Sequence, residues 1–128
     1  MSKIVCNCGN IILDQTDDLI YKASFIRDQN IENISKRNLD LAEFIKAIKN
    51  NDRIKWLEKY FGDSIYNKLN DEEIINDILL KCEASYESII YNCDKCGRIM
   101  VEKDKNNNFV SFLPEKDNWK DIFKGLSE

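Results

Sequence analysis

The chain of 128 residues contains no histidine. That absence excludes Ser-His and Cys-His nucleophilic catalysis, and with them every histidine-ligated metal site. Proline occurs once and glycine four times, so no stretch has the composition of a flexible linker. No glycine-rich phosphate loop is present, which leaves nucleotide binding without a motif. No apolar run approaches the roughly 20 residues needed to cross a bilayer. A cysteine at position 6 interrupts the N-terminal stretch before a signal-peptide core could form, and a cytoplasmic protein is the expectation. Carboxylates abound, but none forms a distinctive pair of the kind acid–base hydrolysis uses; they read as solvated surface. The expectation is a protein that is not an enzyme.

The length suits a single domain, residues 1–128, with a modest core, and 43% apolar with 33% charged residues is a globular composition. The formal charge of −4 argues against broad adhesion to phosphate backbones. It is unevenly spread. From Lys36 to Lys59 there are seven basic and four acidic residues, and from Asp63 to Asp94 two basic and eight acidic. The acidic tract is a solvated face or a docking surface for a basic partner.

Five cysteines are present. Four fall into two tight pairs, Cys6-Asn7-Cys8-Gly9 and Cys93-Asp94-Lys95-Cys96-Gly97-Arg98. Each pair is followed by glycine, the residue best suited to a φ > 0 turn, and each is flanked by β-prone apolar residues. A short loop lets two sulfurs converge on one side of an ion, and two such loops close a tetrahedron of four thiolates. Cys6, Cys8, Cys93 and Cys96 are therefore the candidate metal ligands, with disulfide pairing of the same residues as the competing arrangement. The fifth, Cys82, lies on the apolar stripe of a helix and reads as a small core residue; neither Lys81 nor Glu83 supplies the surroundings of an activated thiol.

Along the chain, residues 3–5 and 10–13 read as strands around the first thiol loop, followed by a turn at 14–18. In the segment 19–26, Tyr21, Ala23 and Phe25 alternate as in a strand, while Thr16 offers a helix cap; the alternation favours a strand. From Asn38, the spacing of Leu41, Phe44, Ile45 and Ile48 predicts a helix that ends at Asn50-Asn51. Asp52 caps a second helix through Ile54, Leu57 and Phe61, stopped by Gly62. A third opens near Asn70-Asp71, with acidic residues in its first turn and a stripe of Ile75, Ile78, Leu79 and Cys82. Residues 86–92 return to strand character. Residues 99–103 and 109–113 form a hairpin around the turn at 104–108. After Pro114, a terminal helix is expected with Trp119, Ile122, Phe123 and Leu126 on its buried side.

The two thiol loops and the hairpin to Leu113 resemble the zinc-ribbon, or rubredoxin-like, knuckle. The resemblance covers roughly residues 3–13 and 88–113. The first pair departs from the pattern, with one residue between its cysteines where the knuckle has two. The resemblance implies an α+β fold: a small antiparallel β zinc-ribbon unit, split by a helical insertion at about 35–84 and followed by the terminal helix. It implies zinc in preference to iron, since rubredoxin-like electron carriers are compact and lack such an insert. Four thiolates leave zinc no open position for water or substrate, so the expected role is structural.

By subtraction, the expected function is protein–protein binding. One concrete version is an immunity protein against a bacterial toxin, with the acidic tract facing a basic toxin surface. Two alternatives stand beside it. One is nucleic-acid binding, for which Trp56, Tyr60 and Phe61 near Lys55 and Lys59 are an aromatic–cationic candidate, core packing being the plainer account. The other is electron transfer through iron.

Overall fold

A computed structural model describes residues 2–127 of the chain. The fold is α+β, with three helices and two small antiparallel sheets. It divides into two compact units: the segments up to Phe25 and from Ser88 onward, and the segment Ile26–Glu87.

The first unit begins with β1 (Ser2–Val5) paired antiparallel to β2 (Ile11–Asp14). Alternation sorts their faces. Ile4 stands opposite Ile12 and packs with it toward the core, while Val5, Ile11 and Leu13 face outward. The second sheet runs in the order β3 (Lys22–Ile26), β4 (Glu87–Asn92), β5 (Ile99–Asp104), β6 (Asn108–Phe112). The segment around Tyr21, Ala23 and Phe25 is thus extended, as its alternation suggests, and the Asn92 N–H donates to the Tyr21 carbonyl at 2.9 Å. Tyr91 lies opposite Met100, and both join Cys6, Ile12 and Cys93 in a buried cluster. The thiol loops are part of this unit's core.

The second unit holds α1 (Ile31–Lys49), α2 (Arg53–Phe61) and α3 (Asp71–Tyr86), with a 3-10 turn at Ser64–Lys68. Its core is Phe44, Leu57, Ile74 and Ile78, all 0% exposed. The stops and starts are chemical. Gly62 adopts a left-handed φ of 73° and its N–H closes on the Glu58 carbonyl. Asn70 and Glu73 form a reciprocal capping box at the head of α3. Arg53 ties the same corner, donating to Asp71 at 2.8 Å and to the Leu69 carbonyl at 2.6 Å.

Three expectations are corrected. Helix α1 begins at Ile31, after a 3-10 turn at Asp28–Asn30, rather than near Asn38. The seam of α3 is Ile74 and Ile78, while Ile75 is only partly buried. The terminal helix does not form: residues 118–123 are turns, with Asp121 at φ 58°. A segment this short is a marginal helix without tertiary support. Here Trp119 is held against Gly97 while Ile122 and Leu126 stay exposed. Among the described residues, no helix is long and apolar enough to cross a membrane.

Candidate metal centre

Each thiol pair sits at the tip of a hairpin, and the two tips are built alike. In the first, the Cys6 N–H donates to the Asn10 carbonyl at 2.8 Å and the Gly9 N–H to the Cys6 carbonyl at 2.9 Å. In the second, the Cys93 N–H donates to the Arg98 carbonyl at 2.8 Å and the Gly97 N–H to the Cys93 carbonyl at 2.9 Å. The two loops differ by one residue, yet both close from first cysteine to the residue after glycine. Gly9 (φ 95°) and Gly97 (φ 83°) take the left-handed conformation that closure requires. At Gly97 a side chain is excluded twice over, because a Cβ would lie 2.5 Å from the Trp119 ring.

The geometry brings together all four cysteines singled out from the sequence. The sulfurs of Cys6, Cys8, Cys93 and Cys96 lie within 4.8 Å of one another. Cys6 Sγ is 3.5 Å from Cys96 Sγ, and Cys8 Sγ is 3.6 Å from Cys93 Sγ. A disulfide needs about 2.05 Å, and all five cysteines are free thiols. A tetrahedron of metal–sulfur bonds about 2.3 Å long has edges of about 3.8 Å, which these separations approach. The four cysteines are placed to bind a metal ion. Cys82 is elsewhere, on α3, its thiol directed at the carbonyls of Asn33 and Ile34 at 3.5 and 3.7 Å.

Two donors that the sequence reading passed over face the sulfurs. The Asn10 amide donates to Cys93 Sγ at 3.4 Å and to Asp94 Oδ1 at 2.8 Å, and Arg98 Nη1 donates to Cys96 Sγ at 3.3 Å. Their common position was the available signal: each directly follows the glycine of its loop. These donors matter electrostatically. Burial opposes ionisation of Cys93, but backbone N–H groups of its loop and the Asn10 amide outweigh it and hold the thiol down to about 6. Cys96 is lowered as well, against burial, by the Arg98 backbone and guanidinium. Cys6 is pushed up to about 12 by burial and by the neighbouring thiols. Four crowded sulfurs hold their protons unevenly, and a divalent cation is what lets all of them ionise together.

An α+β protein with a four-cysteine, metal-type cluster between two hairpin tips is the class that fold and site define. The family model for a domain of unknown function (DUF8617) matches residues 2–116, and the chain belongs to that family. No curated protein and no solved structure matches it.

Proposed function

We propose that this chain is a non-enzymatic zinc protein of the zinc-ribbon type, whose ion is structural and whose activity is to bind another protein. The observation that carries the proposal is the closed set of four thiols at two matched hairpin tips. Such a set saturates zinc and leaves no coordination position for water or substrate. N–H···S bonds from Asn10 and Arg98 to the sulfurs are the outer support that metal thiolates use. The binding role rests on what remains of the acidic tract. Asp71 pairs with Arg53, Glu83 with Arg37, and Glu73 caps α3. Glu72, Asp77 and Glu87 carry no ion pair among the described residues and are free to meet a basic partner, of which a bacterial toxin neutralised by an immunity protein is one form.

Metal analysis of the purified chain tests the first half: one zinc per chain and no visible absorption are expected, with Cys93→Ser abolishing retention. A red, iron-loaded protein would replace the structural ion with an electron carrier. Co-expression with the product of the adjacent reading frame tests the second half, through a stable complex or rescue of growth.

A further inference from the structure

A second site lies wholly within the helical unit and owes nothing to the thiols. A groove of about 650 Å³ runs between α1 and α2. Buried Ala47 and the half-buried rings of Trp56 and Tyr60 form its apolar lining, and Lys46, Lys55 and Lys59 stand exposed around it. The helical period explains the layout. Trp56 and Tyr60 are four residues apart on one row, and Lys55 and Lys59 are four apart on the next, so α2 presents parallel aromatic and cationic rows. Lys46, beside Ala47 on α1, adds the third ammonium group.

The sequence suggested Trp56, Tyr60 and Phe61 together as an aromatic platform. The structure divides them: Phe61 stacks on Tyr66 at 3.9 Å and does not line the groove, while Trp56 and Tyr60 do. Those two rings are stacked at 4.7 Å with an 11° interplanar angle, and Phe44 braces Trp56 at 5.3 Å from the core side. Tyr60 is backed in turn by Phe61, edge-on at 4.8 Å, and by Lys81 Nζ 4.2 Å over its ring, so it supports Trp56 and Trp56 is the ring left for a ligand. The Tyr60 hydroxyl is fixed by donation to Asp40 at 3.0 Å. The rings are therefore preorganised, and a ligand loses little by ordering them.

Charge points to the kind of ligand. None of the three lysines forms an ion pair among the described residues. The two acids on the lining, Glu43 and Asp52, neutralise none of them by contact. We propose that this groove binds single-stranded nucleic acid, with a base against the part of Trp56 that lines the groove and phosphates against Lys46, Lys55 and Lys59. A strand offers planar bases and phosphates side by side, as the two rows require. A duplex hides its base faces, and an acidic peptide would satisfy the lysines while leaving Trp56 without a planar partner. The groove is open, which suits a strand that enters and leaves. The net charge of −4 does not forbid this, because screening over about 8 Å at physiological salt makes the local excess of lysine the field the strand meets.

The test uses the 128-residue chain loaded with zinc and fluorescein-labelled oligo(U) and oligo(dT) of about twelve nucleotides, followed by anisotropy. Three phosphate contacts predict a log–log salt slope of about −2, or roughly twentyfold weaker binding between about 50 and 200 mM salt. The triple variant Lys46→Glu, Lys55→Glu, Lys59→Glu alters exposed residues only and is expected to lose at least about tenfold in affinity at the lower salt. Lys116→Glu, Lys120→Glu, Lys124→Glu makes the same charge change outside the groove and is expected to lose less than about threefold. Equal losses in the two triples, no binding at low salt, or equal affinity for an oligoglutamate probe would each overturn the proposal.

Discussion

Tyr91 is 3% exposed, and its hydroxyl donates to Asp14 Oδ2 at 2.5 Å, the same oxygen that Lys22 Nζ meets at 2.7 Å. Burial, and then the bond to the Asp14 carboxylate, push the Tyr91 phenol well above its usual 10. Burial works against ionisation of Asp14, but the bonds from Lys22 and Tyr91 outweigh it and hold that carboxyl below the usual range. A hydrogen bond to a charged group is worth about 1.5–3 kcal/mol, and Tyr91→Phe is expected to cost that much near neutral pH. The sign with pH follows from linkage. The unfolded chain releases the phenol proton near 10 and the folded chain only above it, so this contribution is whole from above the carboxylate range up to about pH 10, declines as pH rises further, and is lost at the acid end as Asp14 protonates. Urea unfolding should therefore show wild type and Tyr91→Phe converging above about pH 10; a gap that stays constant would mean the bond is not the source. None of this was legible beforehand, since Asp14 and Tyr91 lie 77 positions apart. The cysteines were legible because their spacing encodes a shared chemical demand. Asn10 and Arg98 were not, because a residue that assists a ligand has no fixed type.

Helix α3 shows what an element reveals through its ends. The expected opening near Asn70-Asp71 is found, and Asn70 and Glu73 supply its cap, with Glu73 N–H to Asn70 Oδ1 at 2.8 Å. In its interior the expected stripe of Ile75, Ile78, Leu79 and Cys82 holds at Ile78, while Ile74 takes the buried place expected of Ile75. Consecutive isoleucines at 74 and 75 and leucines at 79 and 80 leave the register ambiguous, and only packing against Phe44 and Leu57 resolves it. The early start of α1 was hidden for a related reason: Asn30 makes no side-chain cap bond and Ile31 is exposed, so neither a cap nor a stripe marks the start. At the other end of the chain, Trp119, Ile122 and Phe123 had helical spacing, yet the docking of Trp119 on Gly97 decided the local structure. The capping box gives a graded prediction. Asn70→Ala is expected to cost about 1 kcal/mol in urea unfolding and Asn70→Gly only a few tenths, because glycine leaves the cap backbone solvated. No cost for either substitution would show that the side-chain bond is not what starts the helix.

At the scale of the whole chain, the thiol centre and the helices solve separate problems. Cys8 and Cys93 stand 85 positions apart. Bringing the ends of a flexible loop that long together costs about 4 kcal/mol in chain entropy, which a bound ion would offset in the β unit. The helical unit has no ligand of the centre in its core of Phe44, Leu57, Ile74 and Ile78, and its caps are local. Chelation under native conditions should therefore act unequally. Amide hydrogen exchange is expected to lose protection in peptides covering β1, β2 and the β4–β5 knuckle, while peptides from α1 to α3 keep theirs and the helical dichroism at 222 nm largely persists. If protection fell everywhere at once, the ion would be holding the entire chain in one cooperative unit. If it fell nowhere, the four sulfurs would be converging without help, and a structural role for the metal would lose its physical basis.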